Sequence, residues 1–200
     1  MFETSKSIFH RLADSRYATR YFVGQGIDIG AGPDALGQYA EFFPLMKSCR
    51  AWDMPDGDAE LLATAADNSF DFVHSSHCLE HMRNVDVALE NWLRVLKPGG
   101  HLVCLVPDED LYEQGIFPST FNSDHKHTFT VHKAASWSPK SVNLTTLLAS
   151  TKIAIQVKKI ELLDATFRYG LLQGRRLDQT TTPVGESAIE FIVRKLPVSV

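Results

Sequence analysis

A glycine turn is the first place where this chain could do chemistry. Residues 26–34 read GIDIGAGPD, an apolar strand pattern running into Gly30, Ala31 and Gly32. Gly30 to Ala35 fits G-x-G-x-x-A, and the acidic Asp53 follows about 20 residues on. The spacing is formally that of a dinucleotide site, and Asp28, two positions before Gly30, discriminates between guests. A pyrophosphate would bring negative charge onto the turn, and a carboxylate pointing there would repel it. S-adenosylmethionine instead brings a sulfonium and an α-ammonium, which a carboxylate attracts. The charge logic favours the sulfonium cofactor; an NAD(P)-dependent oxidoreductase is the alternative.

Histidines form the second constellation. The chain has eight, and His74, His77 and His81 fall close together. His77, Glu80 and His81 read H-x-x-E-H; on a helix the three share a face, which makes them metal-ligand candidates. His125 and His127 follow in SDHKHTFT. A neutral imidazole can take a proton near neutral pH, so His77, His125 and His127 are the candidate bases, with the choice among them open.

Several elements must position these groups. Strands are predicted around 26–29, 49–53, 67–76, 101–107 and 153–163, with a last one in SAIEFIVRKL. Leu36, Tyr39, Phe42 and Phe43 predict a helix in DALGQYAEFF, weakened by Gly37. The clearest helix places Val85, Ala88, Leu89, Trp92, Leu93 and Leu96 on one apolar face and stops at Pro98-Gly99-Gly100. Another helix is predicted near 140–150. Between Asp53 and Phe70 no convincing strand is visible. Alternating strands and helices predict an α/β fold with a mostly parallel sheet, its last two strands pairing antiparallel. Residues 1–23 form an N-terminal lead, and 108–138 a long polar and aromatic cover on the acceptor side.

Composition narrows the class. The hydrophobic fraction of 44% and charged fraction of 22% are globular values. A net charge of -4 gives no footprint for a dedicated nucleic-acid binder. No apolar run approaches the ~20 residues that span a bilayer, and the start lacks a secretory pattern. Cys49, Cys78 and Cys104 are scattered, which suits reduced thiols in a cytoplasmic setting. The expected partner is a small molecule, without membrane or nucleic acid; oligomeric state is undecided.

Asp28, Gly30 and Gly32 (D-x-G-x-G), Asp53, the Gly57-Asp58-Ala59 triplet, and FDFVHSSHCLEHM followed by WLRVLKPGGHLVCLVP together resemble class I S-adenosylmethionine-dependent methyltransferases, of the bacterial type with LEH and LKPGG segments. The resemblance covers about residues 26–107. It implies one Rossmann-like domain over 1–200, with helices on both faces of a mostly parallel central sheet and an antiparallel C-terminal strand. The implied activity is methyl transfer from S-adenosylmethionine to a small polar acceptor at oxygen, such as a saccharide or other small metabolite. A non-catalytic S-adenosylmethionine-binding module is a further alternative.

The resemblance also implies residue roles. Gly30, Ala31 and Gly32 let the backbone approach the methionine part, and Asp28 attracts its cationic end. Asp53 accepts the ribose hydroxyls, with Met54 on the adenine face. Asp58 receives the adenine amino group, and Ala59 offers its amide. Ser75 and Ser76 line the mouth beside the methyl group. Some small-RNA 2′-O-methyltransferases and ubiquinone-pathway O-methyltransferases hold a divalent ion with Glu-x-x-Glu-His, the former with a later histidine. Here His77 stands at the first Glu, before Glu80 and His81, an exchange that suits Zn²⁺, Fe²⁺ or Ni²⁺ better than Mg²⁺. H-x-x-E-H is also an inverted zinc-peptidase signature, but the segment directly follows a strand that the methyltransferase reading needs.

Overall fold

The computed structural model describes residues 2–197. Its centre is a six-stranded sheet of β1 (Gly24–Ile29), β2 (Met46–Trp52), β3 (Phe70–Ser76), β4 (Leu96–Pro107), β7 (Ile155–Leu163) and β8 (Ala188–Lys195). The order is β2-β1-β3-β4-β8-β7. The first four run parallel, and β8 is antiparallel to both β4 and β7. A small pair, β5 (Thr128–Thr130) with β6 (Ser141–Asn143), lies apart.

Strand alternation feeds two cores, because successive side chains point to opposite faces. Ile27, Ile29, Val73, Leu102, Cys104, Phe191 and Val193 pack with α2 (Val85–Val95) and α3 (Leu144–Ala149). Phe72, Val103 and Ile192 pack on the other face with Ile8 of α1 (Glu3–Ala13) and the aromatics Tyr17, Tyr21 and Phe22. α2 begins at Asn84, whose side chain accepts from the amides of Asp86 (3.0 Å) and Val87 (3.1 Å). That cap satisfies two donors the helix leaves free.

The region of 34–43 departs from expectation. It forms only a 3₁₀ turn, Leu36–Phe42, broken at Tyr39 (φ -109, ψ 16). Pro33 and Pro44 bracket it, which leaves little room for a propagating helix. Gly37 packs so closely on β2 that an added Cβ would lie 3.1 Å from the Cys49 carbonyl. Between Asp53 and Phe70 the described residues form turns, so β2 is the sheet edge. No helix is long and apolar enough to cross a membrane among the described residues.

β1 pairs with β2 on one side and β3 on the other, so the chain changes direction at the carboxyl ends of β1 and β3. In open α/β sheets ligands bind at such a switch point.

Candidate active site

The glycine turn sits at that crevice. Gly30 has φ +73, and an added Cβ would lie 2.5 Å from the Cys78 sulfur; Gly32 has φ +52. Both positions therefore need glycine, for backbone angle and, at Gly30, for close approach. The Gly30 amide donates to the Trp52 carbonyl (2.9 Å), which ties the turn to the end of β2. Asp53 follows Trp52, and its carboxylate accepts from the amides of Gly32 (3.0 Å) and Met54 (2.7 Å). Asp56 accepts from the Asp53 amide (3.1 Å) and completes a reciprocal cap. Met54 is 89% exposed beside it, a free apolar plate.

Next to the turn lies a cleft of about 190 Å³, lined by Gly30 to Asp34 on one side and by Ser76, His77, Glu80, His81, Asn122 and His125 on the other. Glu3 and Thr4 of α1 also line it. The Ser5 amide donates to Asp34 (2.9 Å), pinning α1 to the turn. His77 takes a left-handed backbone angle (φ 54) directly after β3, which swings the following segment back over the strand ends.

Glu80 is the centre of this cleft. It is fully buried, and neither carboxylate oxygen has a hydrogen-bond partner among the described residues. Three imidazoles approach it: His77 Nδ1 at 3.5 Å, His81 Nε2 at 3.9 Å and His125 Nε2 at 3.9 Å. The far nitrogens of two of these rings are held by carboxylates. His125 Nδ1 meets Glu113 at 2.7 Å, and His81 Nδ1 meets Asp124 at 2.9 Å. His77 Nε2 faces Glu3 at 3.9 Å. Burial alone would raise the Glu80 pKa, but His77 with its neighbouring imidazoles holds it below the ordinary value. Burial would likewise lower His77, yet Glu80 and Glu3 leave it raised. Glu80, His81 and His125 each offer one ligand atom within 4.8 Å of the others.

Several residues expected at the site lie elsewhere. Asp28 is buried and does not line the cleft; its oxygens meet His74 Nδ1 (2.6 Å) and the Leu36 amide (2.7 Å). The carboxylates that do line it are Glu3, Asp34 and Glu80. Ser75 is buried and donates to the Ile29 carbonyl (3.0 Å), whereas Ser76 reaches the cleft with an unpartnered hydroxyl. Asp58 does not line the cleft; it pairs with Arg83 (2.6 Å) and accepts from the Glu60 amide (2.8 Å). The Ala59 carbonyl accepts from Trp92 Nε1 (2.8 Å). His127 lies outside the cleft, with Nε2 3.4 Å from the Arg83 carbonyl. Glu3, Thr4 and Asn122 are cleft residues that no motif marks, and Asp34 lies within the glycine turn without an expected role.

The segment after β4 reaches the cleft through His125 and Asn122. It starts at Asp108, which accepts from the amides of Asp110 and Leu111 (both 3.0 Å) and caps the turn Glu109–Glu113. Burial, then the charge of Asp110, pushes the Asp108 pKa up to about 6 from 3.8. Between those values the folded chain keeps a proton that the unfolded chain has lost. Asp108 therefore favours the fold at low pH, and this contribution disappears as pH rises to about 6. Asp108→Asn keeps the cap without the buried charge. It is expected to stabilise the protein by roughly 1–3 kcal/mol at pH 8 and by little at pH 4, read from denaturant midpoints at the two pH values.

Comparison with known proteins agrees with this architecture. Residues 27–104 match the methyltransferase domain family. No curated protein matches the chain. Among solved structures, the chain is similar to an S-adenosylmethionine-dependent methyltransferase from Mesorhizobium loti (TM-score 0.58, 14% identity, 98% of this chain and 100% of that one). It is also similar to one from Archaeoglobus fulgidus (TM-score 0.57, 15% identity, 97% and 96%). A third is phosphoethanolamine N-methyltransferase 2 of Haemonchus contortus in complex with S-adenosyl-L-methionine (TM-score 0.57, 18% identity, 94% and 52%). At these identities the likeness is one of fold.

Proposed function

We propose that the protein, whose residues 27–104 match the methyltransferase domain family, is a class I, S-adenosylmethionine-dependent methyltransferase that methylates an oxygen of a small polar acceptor. One observation carries the reading: the glycine turn and the imidazole–carboxylate cluster open into the same cleft. Methyl transfer needs an aligned acceptor and a group to take its proton, since the sulfonium already leaves well. His77 and His125 suit that role, because both line the cleft beside Gly30 to Gly32, and His77 alone keeps it where an ion holds His125. The long segment 108–138 covers the acceptor side, in one unit with the rest of the chain.

The cofactor's cationic end is attracted by Glu3 and Asp34, in the place first given to Asp28. Asp53 has lone pairs beyond the two amides it accepts, which suits ribose hydroxyls. At about 190 Å³ the cleft is smaller than the ~300–1,000 Å³ of most small-molecule sites. It suits the methionine end, with the adenosine on the open shelf of Asp53 and Met54. The same negative charge disfavours a nicotinamide diphosphate.

A divalent ion fits the residues present. Glu80 is a buried carboxylate without donors, and His81 and His125 have their outer nitrogens oriented by acids, as imidazole ligands require. Glu80, His81 and His125 would hold such an ion, with His77 adjacent; it would lower the pKa of an acceptor hydroxyl beside the cofactor. Two nitrogens with one oxygen favour Zn²⁺, Fe²⁺ or Ni²⁺ over Mg²⁺.

Calorimetry with S-adenosylhomocysteine tests the cofactor assignment. Micromolar binding that falls at least about tenfold in Asp53→Ala is expected; absence of binding at millimolar ligand overturns the reading. A fluorescence titration with NADH is expected to show none. A panel of hydroxylated acceptors separates an enzyme from a non-catalytic binding module, which would release no methylated product.

A further inference from the structure

Cations collect at the end of the sheet opposite the cleft. A recess of about 610 Å³ is lined there by Arg16, Arg20, His101, Lys158 and Arg194, with Tyr21 beside them. Strand register brings them together. His101 of β4 lies opposite Arg194 of β8, which lies opposite Gln156 of β7, next to the bulge at Lys158. Arg20 and Tyr21 come from the turn that follows α1. Four separate elements thus deliver basic groups to one concavity.

These cations are unevenly compensated. Arg16 is paired with Asp14 (2.6 Å). Among the described residues, Arg20, Lys158 and Arg194 have no carboxylate partner. Lys158 reaches only the Gln156 amide oxygen (3.0 Å), and Arg194 donates only through Nε, to the Gly99 carbonyl (3.2 Å). His101, packed on Tyr21 with ring centres 5.2 Å apart, registers the resulting potential. Burial, followed by the charges of Arg194, Lys158 and Arg20, pushes its pKa down to about 4.

Three like charges in a recess repel one another, and the low-dielectric walls focus their field. A dianion seated among them reverses the sign of that interaction. Arginine forks and a lysine point charge are the side chains that hold phosphate oxygens. We propose that this recess binds a phosphorylated small molecule, gripped through its phosphate by Arg20, Lys158 and Arg194. Its volume lies within the ~300–1,000 Å³ of small-molecule sites, and Tyr21 and Val157 supply apolar wall for the remainder of the ligand. A nucleic-acid strand would need a basic groove that tracks its backbone. Here Asp14 neutralises Arg16, and the whole chain carries a net charge of -4.

The test uses the full chain at constant ionic strength, with inorganic phosphate and pyrophosphate as probes. Binding is read by thermal denaturation and by the proton resonances of the His101 ring. Saturable stabilisation is expected, together with a rise of the His101 pKa by about one unit or more, since an anion offsets the cations that depress it. Lys158→Gln and Arg194→Gln are each expected to weaken phosphate at least about tenfold while S-adenosylhomocysteine binding stays unchanged. That second ligand shows that the variants are folded and keeps this proposal separable from the methyltransferase reading. An equal response to chloride, or wild-type phosphate affinity in both variants, overturns the proposal. So does a preference for short single-stranded RNA over pyrophosphate.

Discussion

Glu80→Gln is expected to lower methyl transfer by at least about a hundredfold on any acceptor the panel identifies, with S-adenosylhomocysteine affinity changed by less than about threefold. The substitution is nearly isosteric and removes one charge from the middle of the cleft. The Glu80 carboxylate has no hydrogen-bond partner among the described residues, so exchanging it for an amide removes no link of the local fold. What it does change is the set of groups facing it. His77, His81 and His125 lose the one carboxylate that all three share among the described residues. A divalent ion bound in the proposed group of Glu80, His81 and His125 would lose its one anionic ligand. Melting curves with and without Zn²⁺ give an independent readout: wild-type protein is expected to gain stability from the ion, and the variant to gain none. Wild-type turnover in Glu80→Gln would reduce the cluster to packing. A matching loss of S-adenosylhomocysteine binding would instead assign Glu80 to the cofactor.

The parts of this site legible in the sequence are those fixed by local rules. Gly30 and Gly32 announce a turn with left-handed backbone angles, and both have them. The long α2 face and the alternating strands repeat at fixed periods, and the faint stretch after Asp53 holds no strand. Direction of a side chain is harder to read. Ser75 and Ser76 are neighbours on β3, so they must point to opposite faces; the register with Ile29 decides that Ser75 is the buried one. Asp28, between Ile27 and Ile29, points away from the α2 core, and a partner 46 residues later, His74, decides what its carboxylate touches. His125 and His127 sit in a segment without period, where the backbone bonds from Lys126 and His127 to the Glu80 carbonyl and the grip of Glu113 on His125 fix which ring enters the cleft. Glu3 and Thr4 carry no motif at all. They reach the cleft because α1 docks on the sheet, a long-range event.

How α1 docks sets the second large effect. Arg11 on α1 is fully buried and lies 3.3 Å from Glu190 of β8 and 3.2 Å from His74, which continues to Asp28. Glu190 is also fully buried and takes Lys159 (3.1 Å) and the Tyr17 hydroxyl on its other oxygen. Burial would raise the Glu190 pKa, but His10, Arg11 and Lys159 hold it well below the ordinary carboxylate range. Its stabilising contribution is therefore present above the unfolded-state value of 4.5 and is lost as pH falls below it. Glu190→Gln leaves Arg11 without a counter-ion, and Nε and Nη1 of Arg11 already lack partners among the described residues. A stranded buried charge costs about 3–5 kcal/mol. The variant is expected to lose that much at pH 7 and to show a flatter acid limb in denaturant titrations. S-adenosylhomocysteine affinity falls with it, because Glu3 and Thr4 line the cleft only while α1 is seated. Arg11→Met combined with Glu190→Leu removes both charges and restores packing, so the double variant is expected to recover most of the lost stability. If Glu190→Gln alone is as stable as the wild type, the pair does not hold α1, and the apolar contacts of Ile8 with Tyr17 and Phe22 must do so instead.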